Sequence, residues 1–298
     1  MTDTVKPPVD WIDTALVRQL IASQFPHWAH LPIEPVVPGG WDNRTFRLGN
    51  SMSVRLPSAA HYVAQVQKEH AWLPKLAPHL PLPIPVPIAE GAPAFNYPWP
   101  WSVYAWLEGE PASEALIADQ VAFARSIAGF LVELRRADTT HAPVAGQHNF
   151  HRGGTLSVYD SETRAALGTL TGRVDTASAL EVWEAAISTI WAGPNVWVHG
   201  DIAAGNLLVK DGSLHAVIDF GSSAVGDPAC DLVIAWTMLD APSRQVFRSE
   251  MALDDATWAR GRGWALWKAL ITMANPGESK PKVDKAQQVV HVILAEQR

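Results

Sequence analysis

Residues 196–231 read VWVHGDIAAGNLLVKDGSLHAVIDFGSSAVGDPACD, and the order of polar residues in this stretch decides how the rest of the chain is read. Asn206 follows His199-Gly200-Asp201 five positions after the aspartate, and Asp219, in Ile218-Asp219-Phe220-Gly221, stands thirteen positions further on. One carboxylate can accept the proton of an attacking hydroxyl, while an amide oxygen and a second carboxylate can hold magnesium against nucleotide phosphates. Leu207 to Val209 and His215 to Ile218 form two short strands about Asp211-Gly212, a dipeptide suited to a tight hairpin turn. Such a hairpin is expected to bring Asp219 back beside Asn206.

Upstream, a helical pattern over Ala179 to Trp191 feeds the strand Val196 to Val198. Much earlier, Gly39-Gly40-Trp41-Asp42-Asn43 precedes two alternating strands, Thr45 to Leu48 and Met52 to Leu56, about Gly49-Asn50. The second strand carries Arg55. Ser58 to Leu76 then reads as a helix with Ser58 as its N-cap, Val63, Val66, Leu73 and Leu76 on an apolar face, and Glu69 among its polar positions. Pro74 should kink or end it. A glycine turn, a strand cation and a helix acid in this order are the parts of a nucleotide-phosphate anchor.

The remaining chain supplies a framework. Asp10 to Phe25 is an opening helix with Ile12, Leu16, Val17, Leu20 and Ile21 near one face, stopped by Pro26. Leu31 to Pro38 is broken by prolines. HLPLPIPVPI, from His79 to Ile88, cannot be a central strand because proline lacks the donor, and it reads as a rigid connector. Trp101 to Leu107 is a buried strand that ends at a hinge composition, Glu108-Gly109-Glu110-Pro111. Asp119 to Arg136 is a strongly amphipathic helix. The segment 138–173, with HNFHRGG at its centre, is irregular except for a helical portion from Ser161 to Leu170, and is either a substrate-recognition loop or a surface connection. Its His148 and His151 lack a third ligand at a metal-binding spacing and read as solvated. Further helices are expected from Pro228 to about Leu239, from Leu253 to Met273 and from Val283 to Glu296. No internal repeat is visible.

Composition narrows the function classes. The 298 residues are 48% hydrophobic, enough for a sizeable core. A formal net charge of -7 argues against a nucleic-acid partner, whose binding rests on lysines and arginines meeting phosphates. Cys230 is the single cysteine, so an intrachain disulfide and a cysteine-rich metal site are excluded. The N-terminal MTDTVKPPVDWIDT lacks the basic start and apolar core of a signal peptide, and the longest apolar runs are shorter than a membrane-spanning helix requires. A cytoplasmic protein without a membrane partner is expected.

Together, His-x-Asp with the spaced Asn, the Asp-Phe-Gly, and Gly-Asp-Pro-x-x-Asp-Leu from Gly226 to Leu232 closely resemble the aminoglycoside phosphotransferase family. These are small-molecule kinases with a protein-kinase-like fold, related to choline and homoserine kinases, and the resemblance runs from about Pro38 to Met273. It implies an α+β, bilobal fold with a small antiparallel-sheet N-lobe over 1–107 that binds nucleotide and a larger, mainly helical catalytic and substrate-binding C-lobe over 108–298. It implies Asp201 as catalytic base, Asn206 and Asp219 as magnesium ligands, and Arg55 with Glu69 as the phosphate-anchoring pair. Gly39 and Gly40 would form the turn over the phosphates, and backbone groups of Ala105 to Leu107 would face the adenine. Asp231 would brace the catalytic loop, with His199 a structural member of it. The protein-kinase pattern has lysine where Arg55 stands, and guanidinium and ammonium are not interchangeable; arginine occurs at this position among the small-molecule relatives.

The implied activity is transfer of the gamma-phosphate of ATP, or of GTP as the alternative, to a hydroxyl of a small molecule, most simply an aminoglycoside. A polycationic acceptor would call for carboxylates, and Glu250, Asp254 and Asp255 are candidates that a solvated acidic face explains equally well. Trp258, Trp264 and Trp267 lie within one helical stretch and either stack on a substrate or pack the core. Choline-like, homoserine-like and macrolide-like alcohols are alternative acceptors. A nucleotide-binding homologue without catalysis is the competing class, opposed by the retained Asp201, Asn206 and Asp219.

Overall fold

In the computed structural model, residues 11–37, 39–40 and 42–296 are described. Asp10, where the first helix was expected to start, and Pro38 and Trp41 beside the glycine pair lie outside them, as does the 1–10 segment. The chain divides into two compact units, Met1–Gly109 with Ala216–Gly221, and Glu110–His215 with Ser222–Arg298.

The first unit is built on a five-stranded antiparallel sheet. Its opening helix α1 (Thr14–Gln24) starts later than the apolar pattern suggested, because the Asp13 carboxylate accepts the Leu16 N–H at 2.8 Å and fixes the N-cap there. Strand β1 (Ile33–Pro35) forms in the segment that the sequence left without structure. Proline is tolerated there because β1 is an edge strand, paired on one side only with β2 (Asn43–Leu48), Ile33 opposite Leu48. Strand β3 (Met52–Pro57) completes the expected hairpin, with Thr45 opposite Arg55.

Helix α2 (Val63–Leu76) begins after a 3-10 turn at Ala60–Tyr62. Its N-cap is Tyr62, without a capping side-chain bond, so Ser58 does not have the role expected of it. Pro74 sits in the final turn and the helix runs through it to Leu76. The proline-rich connector delivers β4 (Pro87–Gly91) to the other edge of the sheet, and β5 (Trp101–Ala105) lies between β3 and β4. Val17, Leu20 and Ile21 of α1 pack with Leu48, Val54, Leu56, Trp101 and Val103 in one buried cluster.

The second unit is mainly helical. It opens with the short β6 (Glu110–Pro111) and then α3 (Gln120–Arg136), whose first turn is capped by Asp119 accepting the Val121 and Ala122 N–H groups. The irregular 138–173 segment holds 3-10 turns at Gln147–Asn149 and Leu156–Tyr159 before α4 (Asp160–Thr169) and α5 (Thr176–Ile187). Strands β7 (Val196–Val198), β8 (Leu207–Lys210), β9 (Ser213–Val217) and β10 (Ala224–Gly226) make two small sheets, β10-β7 and β6-β8-β9. The turn of the β8–β9 hairpin has Asp211 at φ 50 and Gly212 at φ 77, the left-handed pair that a two-residue hairpin turn of this hand demands.

Downstream of the hairpin, the single helix expected from Pro228 is a 3-10 helix over Pro228–Val233 followed by the four-residue α6 (Ile234–Thr237). Helix α7 (Ala241–Met251) escaped the periodicity reading because only Ser243, Phe247 and Met251 are buried along it, too sparse an apolar stripe to stand out. The long α8 (Asp255–Ala274) packs against α4, α5 and α9 (Lys280–Ala295). Most of its residues are buried, Trp258, Trp264 and Trp267 included, which makes it the spine of this unit.

Candidate active site

The central motif folds into a braced loop within the second unit. After β7 the chain turns through His199, Gly200 and Asp201. The Asp231 carboxylate, 3% exposed, accepts the His199 N–H at 2.8 Å and the Gly200 N–H at 2.7 Å, one bond to each oxygen. Gly200 has φ 82, and a Cβ there would lie 2.5 Å from the Ser222 carbonyl oxygen, so both conformation and space require glycine. Burial raises the Asp231 carboxyl above the ordinary carboxylate range, against the opposing pull of His199 and the N–H groups it accepts.

His199 is fully buried, and its Nδ1 accepts the Asp201 N–H at 3.2 Å. That ring nitrogen is therefore part of the loop's own scaffold. Asn206, on the 3-10 turn that precedes β8, donates through Nδ2 to both the Asp201 carbonyl and Oδ2, each at 2.9 Å. One bond holds the Asp201 backbone and the other its side chain, which stays exposed. Because the amide nitrogen is committed to Asp201, the Asn206 Oδ1 is the atom left to meet a cation.

Asp227, the aspartate of Gly-Asp-Pro, forms a buried ion pair with Arg260 of α8, Nε to Oδ2 at 2.6 Å and Nη2 to Oδ1 at 3.3 Å. Its Oδ1 also caps the 3-10 helix by accepting the Ala229 N–H. Arg260 carried no motif and no sequence signal. The pair ties α8 to the segment that presents Asp231.

Beside Asp201 lies a cleft of about 190 Å³, lined among others by Arg152, Trp264, Lys268 and Lys285. Arg152 comes from the HNFHRGG segment, for which substrate recognition was one of two readings. Lys268 and Lys285 were not singled out by the sequence, since lone lysines on helices carry no pattern. His148 bonds the Val144 carbonyl at 2.9 Å, and no cluster of three His, Cys, Asp or Glu suited to a metal occurs among the described residues. Glu250, Asp254 and Asp255 are absent from the cleft wall. Glu250 pairs with Arg125, Asp255 with Arg248, and Asp254 caps α8 through the Thr257 N–H.

The first unit assembles its own charged cluster. Along β3, Val54 and Leu56 are buried in the sheet core, and the strand's period of two puts Arg55 on the other face. There its Nη1 lies 3.3 Å from Glu69 Oε2 and its Nη2 3.5 Å from Asp219 Oδ1. Tyr104 of β5 donates its hydroxyl to the same Glu69 oxygen, while Glu69 Oε1 is buried without a partner. Burial disfavours the charge on Arg55, but Glu69, Asp219, Tyr104 and Asp42 outweigh it and hold the guanidinium above its ordinary pKa. Burial, together with Glu69, pushes the Tyr104 hydroxyl well up.

Asp219 sits at φ 68, a backbone setting uncommon outside glycine, and its side chain is 37% exposed. Lys68, adjacent to Glu69, donates to the Gly221 carbonyl at 2.6 Å, and burial brings its pKa down to about 8. Gly40 accepts from Arg44 Nη1 through its carbonyl, ahead of β2. At the end of β5 the Ala105 N–H bonds Val86 and the Trp106 N–H bonds Ser51. No helix among the described residues is long and apolar enough to cross a membrane.

The model of the phosphotransferase enzyme family matches residues 35–264. Among solved structures, the GDP complex of a mutant aminoglycoside 2'-phosphotransferase-IIIa is similar at a TM-score of 0.73 and 15% identity, over 96% of this chain and 98% of that one. A macrolide 2'-phosphotransferase from Brachybacterium faecium is similar at a TM-score of 0.60 and 20% identity, over 92% and 97%. A thermostable mutant of aminoglycoside phosphotransferase APH(4)-Ia, in ternary complex with ADP and hygromycin B, gives 0.63 and 17% over 94% and 98%. A search of curated proteins finds no match. At these identities the shared property is the fold, the α+β, protein-kinase-like fold expected from the sequence.

Proposed function

Since this chain belongs to the phosphotransferase enzyme family, we propose that it transfers the gamma-phosphate of ATP, or of GTP as the alternative donor, to a hydroxyl of a small molecule. The observation that carries this reading is the loop around Asp201. A carboxylate that must receive a proton has to be held in one place and left open to the reacting hydroxyl. Asn206 fixes Asp201 through two 2.9 Å bonds, Asp231 braces the two residues before it, and the Asp201 carboxylate itself stays exposed beside a cleft.

The cluster of Arg55, Glu69 and Tyr104 supports the nucleotide-anchoring role. Glu69 and Tyr104 hold the guanidinium in place, and its planar fork suits two phosphate oxygens. Asn206 and Asp219 are the residues that would hold magnesium. Taken separately, each offers an oxygen of the kind magnesium takes: in the second unit the Asn206 Oδ1 is left over from the bonds to Asp201, and in the first unit the Asp219 side chain is partly exposed. Bound there, magnesium would neutralise charge on the transferring phosphate. His199 and Asp231 serve as scaffold, and the hinge stretch from Ala105 to Leu107 supplies backbone groups for the base.

The test is ATP- and GTP-dependent turnover with a panel of alcohols, set beside Asp201→Asn. That substitution keeps the shape of the side chain and removes the proton acceptor. Transfer should fall by at least about a thousandfold with nucleotide affinity kept within about threefold. Full turnover by the variant would remove Asp201 from the reaction. The solved neighbours named for aminoglycosides and a macrolide make those compounds natural members of the panel.

A further inference from the structure

The charge of the cleft beside Asp201 bears on the acceptor. Arg152, Lys268 and Lys285 line it, and among the described residues Asp201 is the only carboxylate on its wall. None of the three cations takes part in an ion pair among the described residues. The chain as a whole carries a formal charge of -7, so three cations facing one carboxylate run against its average. Like charges gathered in a concave wall repel one another, and a bound anion relieves that repulsion.

Arg152 is also prepared for such a ligand. Its guanidinium carbon lies 4.9 Å from the Trp264 ring centroid and 5.1 Å from that of Trp267. The indoles are fixed in turn: Trp267 donates Nε1 to Glu162 at 2.7 Å and stacks on Tyr159 at 3.9 Å, with Trp264 edge-on to it at 5.6 Å. Contact with aromatic faces engages the flat side of a guanidinium and leaves its N–H edge for a carboxylate or phosphate. A polycation would meet the opposite of what it needs, since Glu250 and Asp255 are paired elsewhere and Asp254 is a helix cap.

We propose that the acceptor is an anionic alcohol, whose hydroxyl meets Asp201 while a carboxylate or phosphate of the same molecule is held by Arg152, Lys268 and Lys285. This rests on the phosphotransfer reading above and names its substrate class. In the reaction the acceptor O–H proton goes to the Asp201 carboxylate and the oxygen forms a bond to the gamma-phosphorus. The bond from that phosphorus to the bridging oxygen breaks, and the nucleoside diphosphate leaves with the electron pair. The cleft cations contact the acceptor alone and act on its binding.

The experiment presents the full-length protein with magnesium-ATP and four acceptors of similar size: a sugar acid, a sugar phosphate, a neutral polyol and an aminoglycoside. One or both anionic acceptors should be turned over with kcat/KM at least about tenfold above the polyol, the two arms separating carboxylate from phosphate. Arg152→Gln and Lys268→Gln should each raise the acceptor KM about tenfold and leave the nucleotide KM unchanged. Preference for the aminoglycoside or the polyol would overturn the proposal. So would a rise in nucleotide KM instead of acceptor KM, which would give these cations to the phosphates of ATP. Calorimetric titration with inorganic phosphate, without nucleotide, keeps the two readings apart. Phosphate binding that is lost in Lys268→Gln, with no turnover of any alcohol, would refute phosphotransfer and retain the anion site. Turnover without phosphate or sugar-acid binding would do the reverse.

Discussion

Asp231→Asn should loosen the loop that holds Asp201, and the size of the effect follows from two hydrogen bonds. Each oxygen of the buried Asp231 carboxylate accepts one backbone N–H, from His199 and from Gly200, at 2.8 and 2.7 Å. Asparagine keeps one acceptor oxygen and turns an NH2 toward the other donor. One buried N–H then loses its partner, at a cost of about 1–3 kcal/mol. Relief from burying a charge offsets part of this, so a net loss of about 1–2 kcal/mol is expected, or roughly 2–3 °C in Tm for a chain of this size. Asp231→Ala strands both donors and should lose about 2–5 kcal/mol. Thermal melts followed by circular dichroism give the ranking, wild type above Asn above Ala. Turnover should fall about tenfold or more in the Asn variant, with nucleotide affinity nearly unchanged, because the two N–H donors that Asp231 holds belong to the loop that sets the position of Asp201. If Asp231→Asn melted within a degree of wild type and kept its kcat, the bracing role would be wrong.

Arg55→Ala should raise the nucleotide KM at least about tenfold and also lower stability, since Glu69, 3% exposed, is left with its charge and without its ion-pair partner; Arg55→Lys should recover stability more than nucleotide affinity, and equal recovery of both would argue against a need for the guanidinium fork. Lys68 predicts a pH effect of definite sign: its proton leaves the folded protein at about 8 but leaves the unfolded chain at 10.5, so the unfolded chain holds more protons between those values and stability gains on raising the pH through that window. Compared with Lys68→Gln in denaturant titrations, the wild type should gain on the order of 1–3 kcal/mol from pH 8 to 10.5, and parallel curves for the two proteins would sink the assignment.

The features legible in the sequence are those whose chemistry is local. Asp211-Gly212 specifies a left-handed two-residue turn wherever it occurs between strands, so the β8–β9 hairpin could be read directly. The apolar period of Asp119 to Arg136 gave away α3 because a helix face repeats within neighbouring turns, and the N-cap that Asp119 supplies acts only two and three residues away. Edge strands and sparse helices were less readable. The pairing of β1 with β2 depends on residues 11 to 15 positions apart, and α7 buries too few apolar side chains to leave a period. Ser58 looked like a cap by residue type, but the 3-10 turn at Ala60–Tyr62 delays the helix beyond its reach.

At the candidate site the division is similar. By itself the sequence determined the spacing of His199, Asp201, Asn206, Asp219 and Asp231, because that motif lies in one run whose hairpin and turns are set by neighbouring residues. Tertiary structure alone decided that Arg55, Glu69, Tyr104 and Asp219 form one cluster, that Arg260 locks Asp227, and that Arg152, Lys268 and Lys285 share a wall with Asp201. A lysine on a helix carries no mark of what it faces. Its electrostatic meaning comes from charges brought near by the packing of distant segments, and Coulomb interactions depend on distance in space, not on distance along the chain.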